Sequence, residues 1–331
     1  MTHTNAPVTS AEIDRAVAAL RSGHLVAIPT ETVYGLAADA NNERAVARVF
    51  ELKGRPADRP VIVHLATGQD VAEWAWDVPD YATKWMDHFW PGPLTLVFRK
   101  RSHVSDLITA GQPTVACRVP AHPVARSVLE RSGRALVAPS ANRYGQISPT
   151  TAQAVRDEFG AEAPLVLDGG PCNIGIESTI VACLGPEPVV LRVGMVTAQA
   201  LEAVGHVRVA GSPVRADVAV PGQVASHYAP HTPCLWVNDM MGVSACLAHL
   251  SDGAQVGYLG WEPPHQDLPM TTILADEPKR AAQQLYAALR ELDGARLDYI
   301  VICAPPEGAC WDGIRDRLKR ASTPSQHRPT G

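Results

Sequence analysis

The sequence predicts an α/β protein of two domains. The larger would be a twisted mixed sheet with flanking helices, and the smaller a doubly wound domain with a parallel sheet. The length of 331 residues exceeds what one core usually holds, ~250–300 residues. Up to residue 210, apolar runs neither alternate strictly with helices nor all form hairpins, which indicates a mixed sheet. After residue 233, short apolar strands alternate with helical segments, which is typical of a parallel sheet.

The composition is that of an ordinary globular protein, with 46% apolar and 19% charged residues. The net charge of −5 argues against a general nucleic-acid binder, which normally carries a basic face. The start, MTHTNAPVTSAEIDR, lacks the basic and apolar regions of a signal peptide, and no apolar run approaches ~18 residues. We therefore expect a cytoplasmic protein without a membrane span.

The cysteines predict reduced thiols. There are seven, an odd number, and no CxxC pair occurs. This usage fits buried thiols in a cytosolic protein and argues against metal ligation by cysteine. The residues are Cys117, Cys172, Cys183, Cys234, Cys246, Cys303 and Cys310.

Capping residues mark the helices of the first domain. Thr9-x-x-Glu12 is a capping box, which predicts a helix over 10–22, and Asn42 is suited to cap a second helix that runs to Lys53. Further helices are predicted at 70–89, 123–132, 150–158 and 197–204. Strands are predicted at Leu25–Ile28, Val61–Leu65, Leu94–Phe98, Thr114–Val119, Ala135–Ala138, Leu165–Leu167, Ser178–Leu184 and Val189–Val193.

Changes in composition divide the chain into residues 1–210, a linker at 211–233, a second domain at 234–321, and a tail at 322–331. The linker carries four prolines and no hydrophobic periodicity. The tail has no apolar anchor and is predicted to be disordered. In the second domain, strands are predicted at Cys234–Val237, Val256–Leu259, Thr272–Leu274 and Tyr299–Ile302, with helices at 243–250 and 277–292.

The segment KGRPADRPVIVH, residues 53–64, places three cations on a stiff loop beside a strand. Lys53, Arg55 and Arg59 fall within seven positions, and Gly54, Pro56 and Pro60 keep the backbone out of a helix. Cations held this way suit an anionic ligand such as a triphosphate. An isolated KxR is more often a solvated charged loop, so other segments must support the ligand hypothesis.

Cationic and hydroxyl side chains recur at other strand ends, where ligands collect in sheet-based folds. Each hydroxyl pair alone is more often a backbone cap. An arginine within an apolar run needs an anionic partner, either a ligand or a structural carboxylate. These residues are Thr30, Thr32, Tyr34, Arg118, Ser140, Asn142, Glu177, Ser178, Thr179 and Arg192.

Several motifs do not occur in the sequence. It contains no GxxxxGK[ST], no GxGxxG that opens a helix, no GxSxG and no HExxH. A Walker-type nucleotide loop is therefore excluded. If a nucleotide binds, arginine and lysine side chains must hold its phosphates.

Taken together, the motifs resemble the YrdC/Sua5 family. PTETVYGL, KGRP, PVIVH, FWPGPLTLVF, VACRVP, APSAN, DGG, ESTIV and SHYAP occur in the family's order. The resemblance covers nearly the whole chain and matches the long Sua5 form. It implies a YrdC-like catalytic domain over 1–210 and a Rossmann-like, Sua5-type α/β domain over 234–321.

The resemblance implies an L-threonylcarbamoyladenylate synthase, a nucleotidyltransferase. Its substrates would be L-threonine, bicarbonate or CO2, and ATP accompanied by Mg2+, and no metal ligands are implied in the protein. The products would be threonylcarbamoyl-AMP and pyrophosphate, with the former passed to the proteins that modify adenosine 37 of tRNA. The overall acidity weighs against direct tRNA binding.

The resemblance also implies roles for individual residues. The catalytic KxR and SxN motifs fall on Lys53, Arg55, Ser140 and Asn142. Threonine contacts fall on Thr32, His64, Arg118 and Ser178. ATP contacts fall on Lys53, Arg55, Arg59, Thr114, Ser140, Asn142 and Arg192.

This sequence departs from the family at three places. Arg59 stands where many relatives carry asparagine, LRVG replaces the commoner LRPG, and the linker reads PGQVASHYAP without the usual basic and aromatic run. The prolines and the apolar side chains of the linker predict a lid that includes His227 and Tyr228, and the alternative is a rigid spacer.

Two other functions are weighed against the synthase. The first is an RNA-binding or ribosome-associated module, which the acidic composition disfavours. The second is a carbamoyltransferase, because related domains in larger enzymes handle carbamoyl-adenylate. Such enzymes are multidomain chains, and no zinc-finger partner or domain that cleaves carbamoyl phosphate occurs in this sequence.

Overall fold

The structure is a computed structural model that describes residues 7–210, 218–222, 227–251 and 253–323. These residues form two compact units. The first takes its described residues from Met1–Tyr144, Pro149–Asn173 and Glu177–Gln223. The second takes its own from Gly145–Ser148, Ile174–Ile176 and Val224–Gly331. Of the predicted tail, 324–331 lies outside the described residues.

The first unit is built on a mixed sheet, which has ten strands in the described part of the chain. The strands are β1 Val26–Ile28, β2 Gly35–Asp39, β3 Ile62–His64, β4 Ala75–Asp77, β5 Leu94–Lys100, β6 Thr114–Arg118, β7 Leu136–Val137, β8 Leu165–Val166, β9 Thr179–Ala182 and β10 Val189–Arg192. Their order is β10-β9-β5-β6-β3-β7-β2-β1-β8, with β4 paired to β5. Antiparallel and parallel pairs both occur, so the prediction of a mixed sheet is confirmed.

The helices of this unit begin at the predicted caps. The Thr9 hydroxyl accepts a hydrogen bond from the Glu12 amide at 3.3 Å, and Glu12 accepts one from the Thr9 amide at 2.8 Å. The Asn42 side chain accepts from the Ala45 amide at 3.2 Å. The helices are α1 Ser10–Arg21, α2 Glu43–Lys53, α3 Val71–Trp74, α4 Asp80–Phe89, α5 Asp106–Thr109, α6 Pro123–Ser132, α7 Ala152–Phe159 and α8 Ala198–Gly205.

The prediction of one helix over 70–89 is wrong. The strand β4 separates α3 from α4 and pairs with β5. Pro79 explains the break, because the residue before a proline is disfavoured in helical conformation and α4 starts directly after that proline. The strand β2 was not predicted, since GLAAD lacks the β-branched and aromatic residues that mark strands.

The two faces of the sheet are covered differently. One face packs on the main core, which includes Trp85 of α4 and Phe50 of α2. The opposite face has two parts. The part formed by the adjacent strands β1, β2 and β7 is covered by α1 and α6. Its other part is a cluster that we call the apolar floor, and here residues of five strands pack with Val218 and Val220 of the linker. The strand members of the floor are Ile62, Val97, Ala116, Ile180, Ala182, Val189 and Leu191.

The second unit has the predicted parallel sheet. Its strands are β11 Cys234–Val237, β12 Val256–Gly260, β13 Met270–Ile273 and β14 Tyr299–Cys303, in the order β11-β14-β12-β13. All three strand pairs are parallel, which confirms the doubly wound prediction. The helices are α9 Met240–Ala248, α10 Pro278–Asp293 and α11 Asp312–Ser322, of which α11 was not predicted.

Tyr228 is buried in the second unit with a φ of 61°, a left-handed backbone that bulky residues rarely adopt. Aromatic and cationic groups surround its ring. Tyr286 lies 5.8 Å away between ring centroids, and the Arg317 guanidinium is 5.3 Å from the Tyr228 centroid. The Arg317 side chain has no exposed surface and pairs with Asp316 at 2.9 Å. The packing of the Tyr228 ring therefore stabilises a backbone conformation that a tyrosine would otherwise disfavour.

All seven cysteines lie in the described residues and are free thiols. Four are buried, as the sequence predicts for inert thiols. Burial raises the pKa of the Cys117 thiol, which keeps it protonated. In the parts of the chain that the structure describes, no helix is long and apolar enough to cross a bilayer.

We expect Arg317→Ala to lower the free energy of unfolding by ~2–4 kcal/mol, because it opens a cavity under Tyr228 and removes a buried, paired cation. Lys319→Ala on the same helix is the control. Its side chain is exposed, although it lies over the Trp236 ring at 5.6 Å, so the change should be under ~1 kcal/mol. Urea unfolding followed by circular dichroism measures both, and equal losses would contradict this account.

Candidate active site

Lys53 connects the end of α2 to the loop that carries the SxN motif. It is the last residue of the helix, and Gly54 follows in the left-handed conformation at φ 59°. The Lys53 ammonium donates to the carbonyls of Ser140 and Asn142, each at 2.5 Å. Burial, with the nearby Arg55 charge as a second cause, pushes the pKa of Lys53 well below its usual range. The two predicted motifs therefore meet, through backbone carbonyls.

Arg55 lies beside the same loop. Its guanidinium donates to the Pro60 carbonyl at 2.8 Å and lies 5.9 Å from the centroid of the Tyr144 ring. The Tyr144 amide donates to the Lys53 carbonyl at 2.7 Å, so Lys53, Arg55 and Tyr144 are connected to one another. Arg59 is placed differently. Its side chain is 37% exposed, and it lies 3.6 Å from its neighbour Asp58.

Arg118 is the centre of a second group at the end of β6. Its Nε donates to the Gly92 carbonyl at 3.1 Å, Nη1 to the Thr32 hydroxyl at 3.0 Å, and Nη2 to Glu31 at 2.5 Å. Glu31 also accepts from the Ala121 amide at 2.9 Å. The chain thus supplies a carboxylate for this buried cation, and the ion pair holds the TETVYG loop against β6.

His64 lies opposite Arg118 where β3 and β6 pair. Burial, and secondarily the Arg118 charge, lowers the pKa of His64 to about 3. Its Nδ1 lies 3.3 Å from the Ile62 carbonyl, and a carbonyl can only accept, so Nδ1 carries the proton. The remaining nitrogen, Nε2, is then a hydrogen-bond acceptor. This is the form that suits orientation of a donor group such as an ammonium or a hydroxyl.

Ser178 and Arg192 form a third group, together with Thr95. The hydroxyls of Ser178 and Thr95 are 2.7 Å apart. Arg192 donates from Nε to the Ser178 carbonyl at 3.0 Å and from Nη2 to the Ser178 hydroxyl at 3.1 Å. The same guanidinium donates from Nη1 to the carbonyl of Pro221 at 3.1 Å. Both predicted residues are therefore held by one network.

Side-chain alternation places His64, Arg118 and Thr95 on the face of the sheet that bears the apolar floor. Each lies two residues from a floor member of its own strand, and successive side chains on a strand alternate between faces. Ser178 stands in the same relation to a floor residue of β9, just before that strand begins. These polar groups thus border the floor at one end. Thr114 lies at the opposite end of β6 from Arg118. The two residues are four positions apart, which at a strand rise of ~3.3 Å per residue is ~13 Å.

Two polar residues of the candidate site were not predicted from the sequence. Glu31 lies between the predicted Thr30 and Thr32, and the signal for it was the need of a buried arginine for a carboxylate. Thr95 lies within the apolar run PLTLVF, and a threonine there reads as an ordinary strand residue. Only the pairing of β5 with β9, which aligns Thr95 with Ile180, brings its hydroxyl to Ser178.

The described residues contain no group of three or more His, Cys, Asp or Glu side chains that could hold a metal ion.

The predicted lid residues His227 and Tyr228 lie in the second unit, with ring centroids 4.1 Å apart. The His227 amide donates to the Arg320 carbonyl at 3.3 Å. Of the predicted lid, 211–217 and 223–226 lie outside the described residues.

Comparison with known families matches almost the whole chain. The Sua5/YciO/YrdC family model, described as telomere recombination, matches residues 18–194. The model of the threonylcarbamoyl-AMP synthase C-terminal domain matches residues 196–323.

Individual relatives are similar over nearly their full length. A threonylcarbamoyl-AMP synthase of Pyrococcus abyssi is 37% identical over 313 residues, 92% of each chain. One from Bacillus subtilis is 37% identical over 324 residues, 94% of this chain and 93% of the relative. The crystal structure of P. abyssi Sua5 complexed with L-threonine has a TM-score of 0.86 and 37% identity, and covers 94% of both chains. The chain belongs to the Sua5/YrdC family, in its long form.

The stability of the fold should respond to the titration of His64. The unfolded histidine takes up a proton near pH ~6.5, whereas the folded one stays neutral until about 3, so the folded state loses stability as the pH falls through this window. Between pH ~7 and ~4.5 this loss is ~2–3 kcal/mol. We expect His64→Gln to lose that much less than the unmodified protein in urea unfolding.

His122, whose pKa is also lowered, mainly by burial, is present in both proteins. Its contribution therefore cancels in the comparison. An equal loss of stability in the two proteins would show that His64 is charged in the fold.

Proposed function

We propose that this chain is an L-threonylcarbamoyladenylate synthase, which converts L-threonine, bicarbonate or CO2, and ATP into threonylcarbamoyl-AMP and pyrophosphate. The observation that carries the proposal is the full-length similarity to relatives that bear this name, over both the catalytic and the C-terminal family models. The three polar groups support it, since they bring together side chains from separate segments of the chain around Lys53, Arg118 and Arg192.

Threonine is proposed to bind at Thr32, His64, Arg118 and Ser178. The Arg118 guanidinium suits the carboxylate of the amino acid, although Glu31 already balances its charge, so it would orient rather than attract. The neutral His64 accepts a hydrogen bond from the amine or the hydroxyl. Thr95 holds the Ser178 hydroxyl in place.

ATP is proposed to bind at Lys53, Arg55, Arg59, Thr114, Ser140, Asn142 and Arg192. The amine of threonine and CO2 first give a carbamate. A carbamate oxygen then forms a bond to the α-phosphorus, and the bond from that phosphorus to the oxygen bridging to the β-phosphate breaks. Pyrophosphate leaves with the electron pair. Such a transfer depends on alignment and charge neutralisation rather than on a protein nucleophile.

The lysine of the KxR motif has two roles in this proposal. Its ammonium fixes the carbonyls of Ser140 and Asn142, which sets the position of the SxN loop. A bound triphosphate would also raise the lowered pKa of Lys53, because a nearby anion favours the charged form.

Mg2+ is proposed to enter with ATP, held mainly by phosphate oxygens and waters as is usual for this ion. It would neutralise charge on the phosphates during transfer. Positively charged side chains of this chain, Arg55 and Arg192 above all, would orient the triphosphate around it.

The product is proposed to be passed on, in the cytoplasm, to proteins that place the threonylcarbamoyl group on adenosine 37 of tRNA. Because threonylcarbamoyl-AMP is prone to hydrolysis, a cover that excludes water has a chemical purpose. The linker 211–233, with His227 and Tyr228, is proposed as that cover.

Pyrophosphate release should require threonine and bicarbonate together. Incubation with ATP, labelled bicarbonate and each amino acid in turn measures pyrophosphate and label in the adenylate. Equal turnover with serine, or turnover without an amino acid, would overturn the threonine assignment. No ATP consumption, combined with steeply salt-dependent tRNA binding, would support the RNA-binding alternative instead.

Arg55→Ala removes a cation from the proposed triphosphate site, so kcat/KM should fall ~30- to 1000-fold, at tenfold per ~1.36 kcal/mol. Lys53→Ala should show a similar fall and also lower stability by ~1–3 kcal/mol, because it leaves two loop carbonyls unsatisfied. Arg44→Ala, exposed on the same helix, is the control and should change neither. Full activity in both KxR variants would exclude these cations from the site.

A further inference from the structure

The part of the linker at residues 218–222, here called the covering segment, belongs to the first unit and lies on the apolar floor. Val218 and Val220 are each 4% exposed and pack with the floor residues. Apolar contacts of this kind bury the segment but do not fix its position along the floor, because they are not directional. The hydrogen bonds of its backbone provide that direction.

Gln112 makes two of these hydrogen bonds. Its side-chain nitrogen donates to the Ala219 carbonyl at 3.1 Å, and its side-chain oxygen accepts from the Ala219 amide at 2.8 Å. A side-chain amide that pairs with both backbone groups of one residue reproduces the pairing of a neighbouring strand. The register of the covering segment is therefore fixed at Ala219.

Gln112 is itself held firmly in the turn between α5 and β6. Its amide donates to the Thr109 carbonyl at 3.1 Å, and its side-chain nitrogen donates to the same carbonyl at 3.3 Å. Ala110 and Gly111 before it have left-handed backbones, with φ of 54° and 72°. Thr114, a proposed ATP contact, follows two residues later.

The other end of the covering segment contacts a second proposed ATP residue. The Pro221 carbonyl accepts from Nη1 of Arg192, whose other nitrogens donate to Ser178. Ala219 and Pro221 are two residues apart, so a displacement at Ala219 moves the carbonyl that Arg192 contacts. The segment thus runs from a turn next to Thr114 to the guanidinium of Arg192.

We infer that Gln112 is a positioning residue for the nucleotide: by fixing Ala219 it places the Pro221 carbonyl, and through it the Arg192 guanidinium, in the orientation that receives ATP. The inference rests on the proposed function for its ligand. The anchoring of Ala219 by Gln112 is independent of that function.

The anchoring is tested by residue-resolved amide hydrogen exchange on the full chain. Gln112→Met keeps the length of the side chain and removes both hydrogen-bonding groups. We expect exchange at the Ala219 amide to become at least ~10-fold faster, while Cys117 in the centre of β6 is unchanged. Gln112→Glu retains only the acceptor and should give an intermediate rate. Unchanged exchange at Ala219 in both variants overturns the anchoring.

The positioning role is tested by kinetics. Gln112→Met should raise the KM for ATP ~10-fold, change the KM for threonine less than ~2-fold, and leave kcat within ~3-fold. Gln153→Met, an exposed glutamine whose side chain contacts Asp157, is the matched control and should change none of these. Faster exchange with an unchanged KM for ATP overturns the positioning role. No pyrophosphate from the unmodified protein would refute the proposed function, and the exchange result would still decide the anchoring.

Discussion

The burial of cations is the constraint on which the structure of the first unit depends. Arg118, Lys53 and Arg192 all lie in the interior, where an unpaired charge is strongly unfavourable. Arg118 is paired with Glu31, Lys53 donates to two loop carbonyls, and Arg192 donates to Ser178 and Pro221. Because the partners lie between 14 and 89 residues from the cations along the chain, these hydrogen bonds also join loops at the strand ends. The side chains of the candidate site are therefore held by contacts within the chain itself.

Local sequence was sufficient for elements whose determinants are local. The capping box at Thr9 and Glu12 and the Asn42 cap are side-chain to backbone contacts within three residues, and both occur. The alternation of strands and helices after residue 233 likewise predicts the parallel sheet. Strand β2 lacks strand-forming residue types, and it is stabilised by pairing with β1 and with the distant β7. The break between α3 and α4 had a local signal in Pro79, which the prediction of one helix did not use. The pairing of β4 with β5 leaves no trace in the local sequence.

Residue types and motifs identified the main side chains of the candidate site but not how they are held. Lys53 was predicted to face an anion, and its partners in the structure are backbone carbonyls, which carry no sequence signal. Thr95 is one threonine in an apolar strand, and its contact with Ser178 arises from strand register alone. The division of the second sheet face into a helix-covered part and the apolar floor also requires the complete topology.

At Tyr228, the backbone conformation and the side-chain packing favour different amino acids. Its φ of 61° would suit glycine, and the left-handed region is unfavourable for other residues by ~1–2 kcal/mol. Its ring contacts Arg317 and Tyr286, which only an aromatic side chain can do. Glycine would relax the backbone and empty the pocket, whereas most other residues would satisfy neither demand. A substitution at this position therefore changes the backbone strain and the aromatic packing at once, so the burial of Tyr228 alone does not predict its effect on stability.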